Sequence, residues 1–474
     1  MSWLEARHGL GPWAMLIARS VIVMGLGQNL FNMWQLALAG VALRKKRGLD
    51  EPAQLWRRYA GNAPAITLLV PAFNERLTIV DSVSSLISLH YPSFEVVVVN
   101  DGSTDDTLAT LIAAFDLAPI ERPHDNIAPH ASIRAIYGAP HQPRLVVVDK
   151  ENGGKADALN AALNLSRAPI ICSVDADSIL EPDSLLRAVA PFQQDPERVI
   201  AVGGMVRLAN GCDIDSGRII RVGTPTNLLA LLQTIEYLRA FLMARLAWSE
   251  VRSLLIISGA FGLFRRDAVL EVGGYRLGTV GEDMELVIRL HRRNLTLKRP
   301  YRIEFLPEPV CWTQAPESLS VLARQRARWH RGTLETFASH ADMLFNPQFG
   351  RVGFLGFGYI LAVDVLGPVL DIAGYLIVLL FWAMGVLDTE YFFAFLAVSF
   401  GFGVVVSVGA LALEETELRR FPDARSLLTL TGAAIVENFG YRQLNTVWRL
   451  RGTYQFLRGQ SAWGAMAKVG FRRA

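Results

Sequence analysis

The chain has 474 residues, 51% of them hydrophobic and 19% charged, with a net charge of +3. Its mean hydropathy of +0.28 is too apolar for a wholly soluble enzyme. The near balance of charge offers no handle for nucleic acid, and the three cysteines (Cys172, Cys212, Cys311) lack metal spacing and fit reduced thiols.

The first apolar segment runs roughly from Trp13 to Leu43, about 30 residues, enough to cross a hydrocarbon core with room to tilt. It is too long for a signal-peptide core and no small-residue cleavage site comes after it, so it reads as a retained anchor. Arg44-Lys-Lys-Arg47, with Arg57 and Arg58, places the residues after the anchor in the cytoplasm. Arg19, Gln28 and Asn29 inside the segment fit interhelical hydrogen bonding or snorkelling better than a ligand role.

From about Ala65 the pattern becomes that of a soluble α/β domain. Strands are expected at Ile66–Val70, Val96–Val99, Leu145–Val148 and Ile170–Val174, and helices at Arg76–Leu89, Thr104–Phe115, Ala156–Leu165 and Asp183–Phe192. Continuous apolar strands alternating with helices argue for a mostly parallel sheet covered on both faces. Residues 118–143, rich in Pro, His and Ala, read as a long loop insertion. Ligands of such sheets bind beyond the carboxyl ends of the strands, where Asn74-Glu75, Asp101, Asp149 and Asp175 stand.

After Trp329 the chain turns apolar again. Val352–Leu387, interrupted by Asp364, Pro368 and Asp371, reads as one kinked span, and Tyr391–Leu413 as a second, cleaner one. Leu427–Val436 begins a further candidate that turns polar at Glu437-Asn438, which leaves the span count at three or four. The stretch from Tyr441 to Ala474 carries seven Lys/Arg and no Asp or Glu, a cytoplasmic signature. The expected division is an anchor (1–48), a cytoplasmic catalytic domain (49–315), interfacial helices (316–350), membrane helices (351–440) and a basic tail (441–474).

The chemistry sits in isolated polar motifs at the ends of apolar runs. Asp175-Ala-Asp177 closes the strand Ile170–Val174, and two carboxylates at i and i+2 leaving a pleat can converge on one hard divalent cation. A capped turn is the bland alternative for that motif alone. Leu68-Leu-Val-Pro71-Ala-Phe-Asn74-Glu75 and Val99-Asn-Asp101-Gly-Ser-Thr are strand-to-helix turns, where Asp101 can accept from a nucleoside at the sheet edge. N-cap turns look the same. Asn152-Gly-Gly-Lys155 puts two glycines and a lysine at a helix start, a setting for a diphosphate, although it lacks the ending of a Walker loop.

Gly281-Glu282-Asp283 precedes an amphipathic helix. Asp283 is the first choice for a general base and Glu282 the second, against a reading as acids favoured by a helix N-terminus. Gln325, Arg328 and Trp329 fall at i, i+3 and i+4, so a helix presents them on one face. Arg can hold a diphosphate through paired hydrogen bonds, and Trp offers a flat surface for a pyranose. A basic amphipathic helix at a membrane surface explains the arginines but not the Gln and Trp in register.

An Asp in a first turn, Asp-x-Asp, Glu-Asp and Gln-x-x-Arg-Trp, in this order over roughly residues 65–332, resemble the membrane-embedded processive family 2 glycosyltransferases. That resemblance implies a fold similar to the "A" type of nucleotide-sugar transferases (GT-A), with membrane and interfacial helices. It also implies UDP-sugar donors, a Mg²⁺ or Mn²⁺ ion, and inversion to a β-linkage on a growing glycan. Carried over residue by residue, Asp101 and Asp175 bind the nucleotide, Asp177 binds metal alongside Asp175, Asp283 is the base and Trp329 floors the acceptor site. Pro71, Asn74, Glu75, Lys155, Gln325 and Arg328 complete the nucleotide-sugar site. Ser258-Gly259-Ala-Phe261-Gly262 resembles the loop lining the acceptor, giving Gly259 and Phe261.

The resemblance further implies a multi-pass protein of a bacterial-type inner membrane with the lipid bilayer as partner, and leaves an accessory membrane subunit open. Two features depart from the pattern. Gly281 stands where Thr or Ser is usual, and no cyclic di-GMP-binding domain comes after the last apolar segment. A smaller relative of the poly-N-acetylglucosamine, chitin-oligosaccharide or hyaluronan type is therefore expected over cellulose synthase proper. Single transfer to a lipid acceptor, such as a polyprenyl phosphate or diacylglycerol, is the alternative activity.

Overall fold

The computed structural model describes residues 3–45, 52–215, 217–417 and 423–460. Lys46, Arg47 and the basic residues beyond 460 lie outside them. The catalytic half is built on one sheet whose strands are β1 (Ile66–Ala72), β2 (Phe94–Asp101), β3 (Ala118–Pro119), β4 (Ile133–Ala139), β5 (Gln142–Lys150), β6 (Ile170–Ser173), β7 (Ile179–Leu180), β8 (Val199–Leu208), β11 (Gly262–Arg265) and β12 (Arg302–Thr313). A separate small hairpin joins β9 (Asp213–Asp215) to β10 (Arg218–Arg221).

The order across the sheet is β3-β4-β5-β2-β1-β6-β11-β8-β12-β7. Parallel pairing is confined to the run β5-β2-β1-β6 and the pair β8–β12. The expectation of a mostly parallel sheet is therefore corrected to a mixed one. β3 and β7 pair antiparallel at the two ends of the sheet, and two inner strands add to the difference. β4, inside the expected 118–143 loop, pairs antiparallel with β5. β11 runs antiparallel between β6 and β8, reversing the chain directly after the 258–261 loop. The four expected strands are all present; β1, β2 and β5 run longer than their apolar runs, β2 and β5 carrying their pairing through Asn100–Asp149 and Asp101–Lys150, while β6 ends one residue early at Ser173.

The parallel run places the ends of β1, β2, β5 and β6 on one edge. Pro71 has no N–H to give to a ladder, and β6 pairs with β1 only as far as Leu69–Ser173. Beyond that point the two strands part, and Asp175-Ala-Asp177 leaves through the fork.

Two helices among the described residues are long and apolar enough to cross a membrane, Val352–Ala383 and Thr389–Thr416. The first opens with π-helical turns at Val352–Phe357 and Ile360–Leu366, then runs α-helical from Gly367 with Pro368 in its first turn. The polar interruptions Asp364 and Pro368 fall where the π-helical turns give way to regular helix. The N-terminal helix Trp3–Lys45 lies along both, with Val21 at Gly374, Leu36 at Gly409 and Leu413 at Gly40, close approaches that small residues permit. Ala424–Val436, at 13 residues, is too short to cross an unthinned bilayer core of about 30 Å.

The stretch after Tyr441 is not a free tail as far as it is described. The helix Tyr441–Leu457 packs against the helix Leu319–Ser339, with Thr453 Oγ1 3.0 Å from His330 Nε2. Arg449 reaches the start of the first apolar helix, donating to the Val363 carbonyl and to Asp364, both at 2.8 Å. Val363 sits in a π-helical turn, so a carbonyl loosened from its regular partner is met by a charged donor.

Candidate active site

The polar residues at the sheet edge form two connected layers. In the inner layer Asp101, 2% exposed, accepts from the Lys150 ammonium at 2.6 Å and from the N–H groups of Gly153 and Gly154 at 3.0 and 2.7 Å. Lys150, fully buried, also pairs with Asp157 at 2.5 Å. Here Asp101 is a clamp holding the Gly153-Gly154 turn against β2. Asn74 and Glu75 likewise knit the first two turns together. Asn74 Oδ1 accepts from the Thr104 N–H at 2.8 Å, and the Glu75 N–H donates to Thr107 Oγ1 at 2.8 Å.

The outer layer holds Asp175 and Lys155, both partly exposed, against the buried Glu282. Lys155, at the start of its helix, bridges Asp175 at 2.6 Å and Glu282 at 3.0 Å. Burial works against the Lys155 charge, but Asp175, Glu282 and Asp283 outweigh it and hold the ammonium well above its ordinary range. Lost hydration and the neighbouring Asp175 push the Asp177 carboxyl up to about 6, while Lys155 and Arg328 oppose the rise. Glu282 is raised by burial and by Asp283, against the pull of Lys155. Arg328 is drawn down by burial, while the charges of Glu282, Asp175 and Asp177 oppose the fall.

Asp283 accepts from the Gly259 N–H at 3.1 Å, tying the Glu-Asp motif to the 258–261 loop. A Cβ on Gly259 would lie 2.5 Å from Lys155 Nζ and would push that ammonium away from its present place. The Gly281 departure also has a local cause. The helix Leu319–Ser339 crosses the 281 turn backbone to backbone, and a Cβ on Gly281 would stand 3.2 Å from the Gly332 carbonyl oxygen.

Lys155, Asp175, Asp177, Glu282, Asp283, Gly259 and Arg328 are thus brought into one cluster. Gln325 and Trp329 flank it on the same helix, Trp329 being 44% exposed. Phe261 is corrected from an acceptor contact to a core residue. It is fully buried, with its ring against Gly204, and presents no surface to a ligand. Pro71 and Asn74 shape the edge rather than pointing a charge into the cluster.

Four residues, Lys150, Arg245, Arg326 and Glu236, escape a reading of the sequence. Lys150 hides behind Asp149 at the end of an apolar run, although Asp101–Lys150 is a register pair. Arg245, on the π-helical segment Leu238–Arg245, is lowered to about 10 by burial, against the field of Asp283. Arg326 pairs with Glu236 at 2.8 Å behind the Gln325 face. No short motif announces any of them; they are legible only once the helix faces are known. Among the described residues no cluster of three or more His, Cys, Asp or Glu could hold a metal by itself. Asp175 and Asp177 supply a two-carboxylate set, short of a closed cage and suited to a cation that shares its shell with phosphate oxygens.

Comparison with known proteins agrees with this geometry. The poly-beta-1,6-N-acetyl-D-glucosamine synthase of Staphylococcus aureus is 30% identical over 268 residues, covering 56% of this chain and 54% of that protein. The protein of the same name from Staphylococcus epidermidis is 29% identical over 268 residues. The chain therefore spans about half the length of the curated relatives it matches. The solved mannosyltransferase PcManGT of Pyrobaculum calidifontis, in complex with GDP-Man and Mn²⁺, superimposes with a TM-score of 0.55. The match covers 94% of this chain and 99% of that one at 20% identity, and shows a shared fold. Residues 64–332, more than half of the chain and spanning every motif of the cluster, match the family model "Glycosyltransferase like family 2", so the protein belongs to the family 2 glycosyltransferases, with a GT-A type fold.

Proposed function

We propose that the protein transfers a sugar with inversion from a UDP-sugar to a growing β-linked polysaccharide at the cytoplasmic face of a bacterial-type inner membrane, and passes the product across the bilayer. The observation that carries this reading is the convergence of Lys155, Asp175 and Glu282 beside Arg328 and Asp283, at the edge where the parallel strands end. The name of the Staphylococcus relatives makes N-acetylglucosamine the first donor sugar to test.

In this reading Asp283 takes the proton of the acceptor hydroxyl as its oxygen bonds to the anomeric carbon, and the bond from that carbon to the UDP oxygen breaks. Arg328 and Lys155 face the negative charge that grows on the departing diphosphate. Asp175 and Asp177 would hold Mg²⁺ or Mn²⁺, which supplies further charge stabilisation there. The Asp175–Asp177 repulsion marks a place where positive charge is wanted. Trp329 floors the acceptor site, and holding donor and acceptor together removes most of the entropic part of the barrier.

The packing of Tyr441–Leu457 on Leu319–Ser339 supports a catalytic domain and tail on the same side, with the two apolar helices crossing out and back between them. The test is the full-length protein in lipid bilayers with a panel of UDP-sugars and Mg²⁺ or Mn²⁺, then product mass and linkage analysis. A polymer with β-linkages is the expected product. A single sugar on a lipid acceptor as the sole product would replace this reading with the single-transfer one.

A further inference from the structure

Glu236, on the helix Leu228–Tyr237, joins three elements outside the reacting cluster. Glu236 Oε2 accepts from Arg326 Nη2 at 2.8 Å and from the Tyr441 hydroxyl at 2.6 Å, and its Oε1 accepts from Asn445 Nδ2 at 3.2 Å. Arg326, 4% exposed, turns its other contacts toward the face that carries Gln325 and Trp329. Its Nη1 donates to Gln325 Oε1 at 3.0 Å, and its guanidinium carbon stands 4.4 Å from the centroid of the Trp329 ring. One side chain thus fixes the rotamers of both.

A buried ion pair alone would say little, because a well-packed apolar pair of similar volume often serves stability as well. What sets this one apart is its direction. The carboxylate holds Arg326 to two neighbouring elements, and Arg326 spends its planar fork and its flat face on residues three apart and adjacent along the helix. With one face of Trp329 covered by the guanidinium, its remaining exposed surface is held in a fixed orientation.

We infer that Arg326 is a positioning residue for the acceptor platform, clamped by Glu236 to the helix Tyr441–Leu457 that comes after the apolar segments. The inference rests on the reading of Trp329 as an acceptor floor. It predicts that disturbing the clamp lowers acceptor use far more than donor binding, because Gln325 is one of several groups at the nucleotide-sugar site whereas Trp329 is the floor of the acceptor site.

The experiment uses full-length protein in nanodiscs with UDP-N-acetylglucosamine and Mn²⁺, measuring donor KM, donor consumption and product length by mass spectrometry. Arg326→Lys keeps the charge and the reach to Glu236, but a single ammonium cannot bond Gln325 while lying flat on Trp329. Elongation is expected to fall about tenfold or more, the effect of one lost charge-assisted contact, with products shortened and donor KM within about twofold of wild type. Tyr441→Phe, which removes one hydroxyl remote from the reacting cluster, should shift product length in the same direction by less. If Arg326→Lys is not recovered folded in the membrane, Tyr441→Phe decides on the same readouts. Wild-type product lengths in these variants, or a rise in donor KM matching the loss of elongation, overturns the inference. The wild-type control separates the two ideas. Donor turnover without polymer refutes the polysaccharide reading, and the clamp is then judged on transfer to a polyprenyl phosphate acceptor by the same ratio.

Discussion

Gly452 lies so close beneath the Gln325 helix that a Cβ there would stand 2.5 Å from the Ala327 carbonyl oxygen. The two helices touch backbone to backbone at this point, and His330 and Thr453 meet one turn away. Gly452→Leu should therefore pry the pair apart. Overpacking of this kind costs about 1–3 kcal/mol. Transfer should fall steeply while the protein remains in the membrane, and Gly452→Ala should lie between. Thermal unfolding and sugar transfer measured on the same preparations check this, and a fully active Gly452→Leu would disprove the close contact.

Asp101→Asn should behave as a stability variant before it behaves as a binding variant. It leaves the Lys150 ammonium buried with Asp157 as its remaining carboxylate partner. Breaking one side of a buried pair typically costs about 3–5 kcal/mol. The melting temperature should drop accordingly, with Lys150→Met in the same chain restoring part of it. An unchanged melting temperature in Asp101→Asn would show the pair to be dispensable.

Asp177→Ala and Asp283→Asn should both abolish transfer and part company on binding. Asp177→Ala is expected to lose metal-dependent UDP binding, since Asp175 alone is a poor ligand set. Asp283→Asn should keep it, because its amide can still accept the Gly259 N–H. Calorimetric titration of UDP with and without Mn²⁺ separates the two. Wild-type turnover in Asp283→Asn would remove it as the base.

Trp329→Leu should cost acceptor use without costing donor affinity. A stacked ring contributes roughly 1–3 kcal/mol by analogy with aromatic platforms for bases. That corresponds to a loss of about fivefold to over a hundredfold in elongation. The variant also strips Arg326 of the ring beneath its guanidinium, so the loss should sit toward the upper end. Equal loss of donor binding and elongation would reject the platform role.

Acid should weaken the catalytic domain through His291. Burial lowers this imidazole from 6.5 to about 4, with Nε2 2.8 Å from the Leu254 carbonyl and Nδ1 2.7 Å from the Tyr301 hydroxyl. The unfolded chain takes up a proton that the folded one refuses, so stability is full above pH 6.5 and falls as pH drops toward 4. A gap of that size corresponds to about 3 kcal/mol. Denaturant midpoints at pH 7 and pH 4.5 should show the decline, and His291→Phe should flatten it.

The four strands at the functional edge are visible in the sequence because each is a continuous apolar run ending in an acid, and the parallel register converts those endings into one line. β4 is hidden by its neighbourhood of Pro, His and Ala, since its own residues Ile133–Ala139 make a run only beside β5. β11 is masked by the motif before it, which draws attention to Phe261 as a ligand contact when its ring is the start of the core. Spacing on a helix finds Gln325, Arg328 and Trp329 together. It cannot find Arg326, whose carboxylate partner Glu236 lies 90 residues away in the sequence and is met in turn by Tyr441. Long-range polar pairs of this kind leave no local pattern.

The order of synthesis gives the Tyr441–Leu457 helix a further consequence. A ribosome releases the α/β half of this chain before the two apolar helices, and those before the segment that seats the Gln325 helix. A nascent chain therefore holds its sheet-edge carboxylates early, but the seat of its Gln325 helix only after both apolar helices have been made and Tyr441–Leu457 has docked. Under the proposed function this order would time sugar transfer to membrane insertion, and a chain stalled before Tyr441 would carry the sheet-edge carboxylates without the helix that seats Gln325 and Trp329.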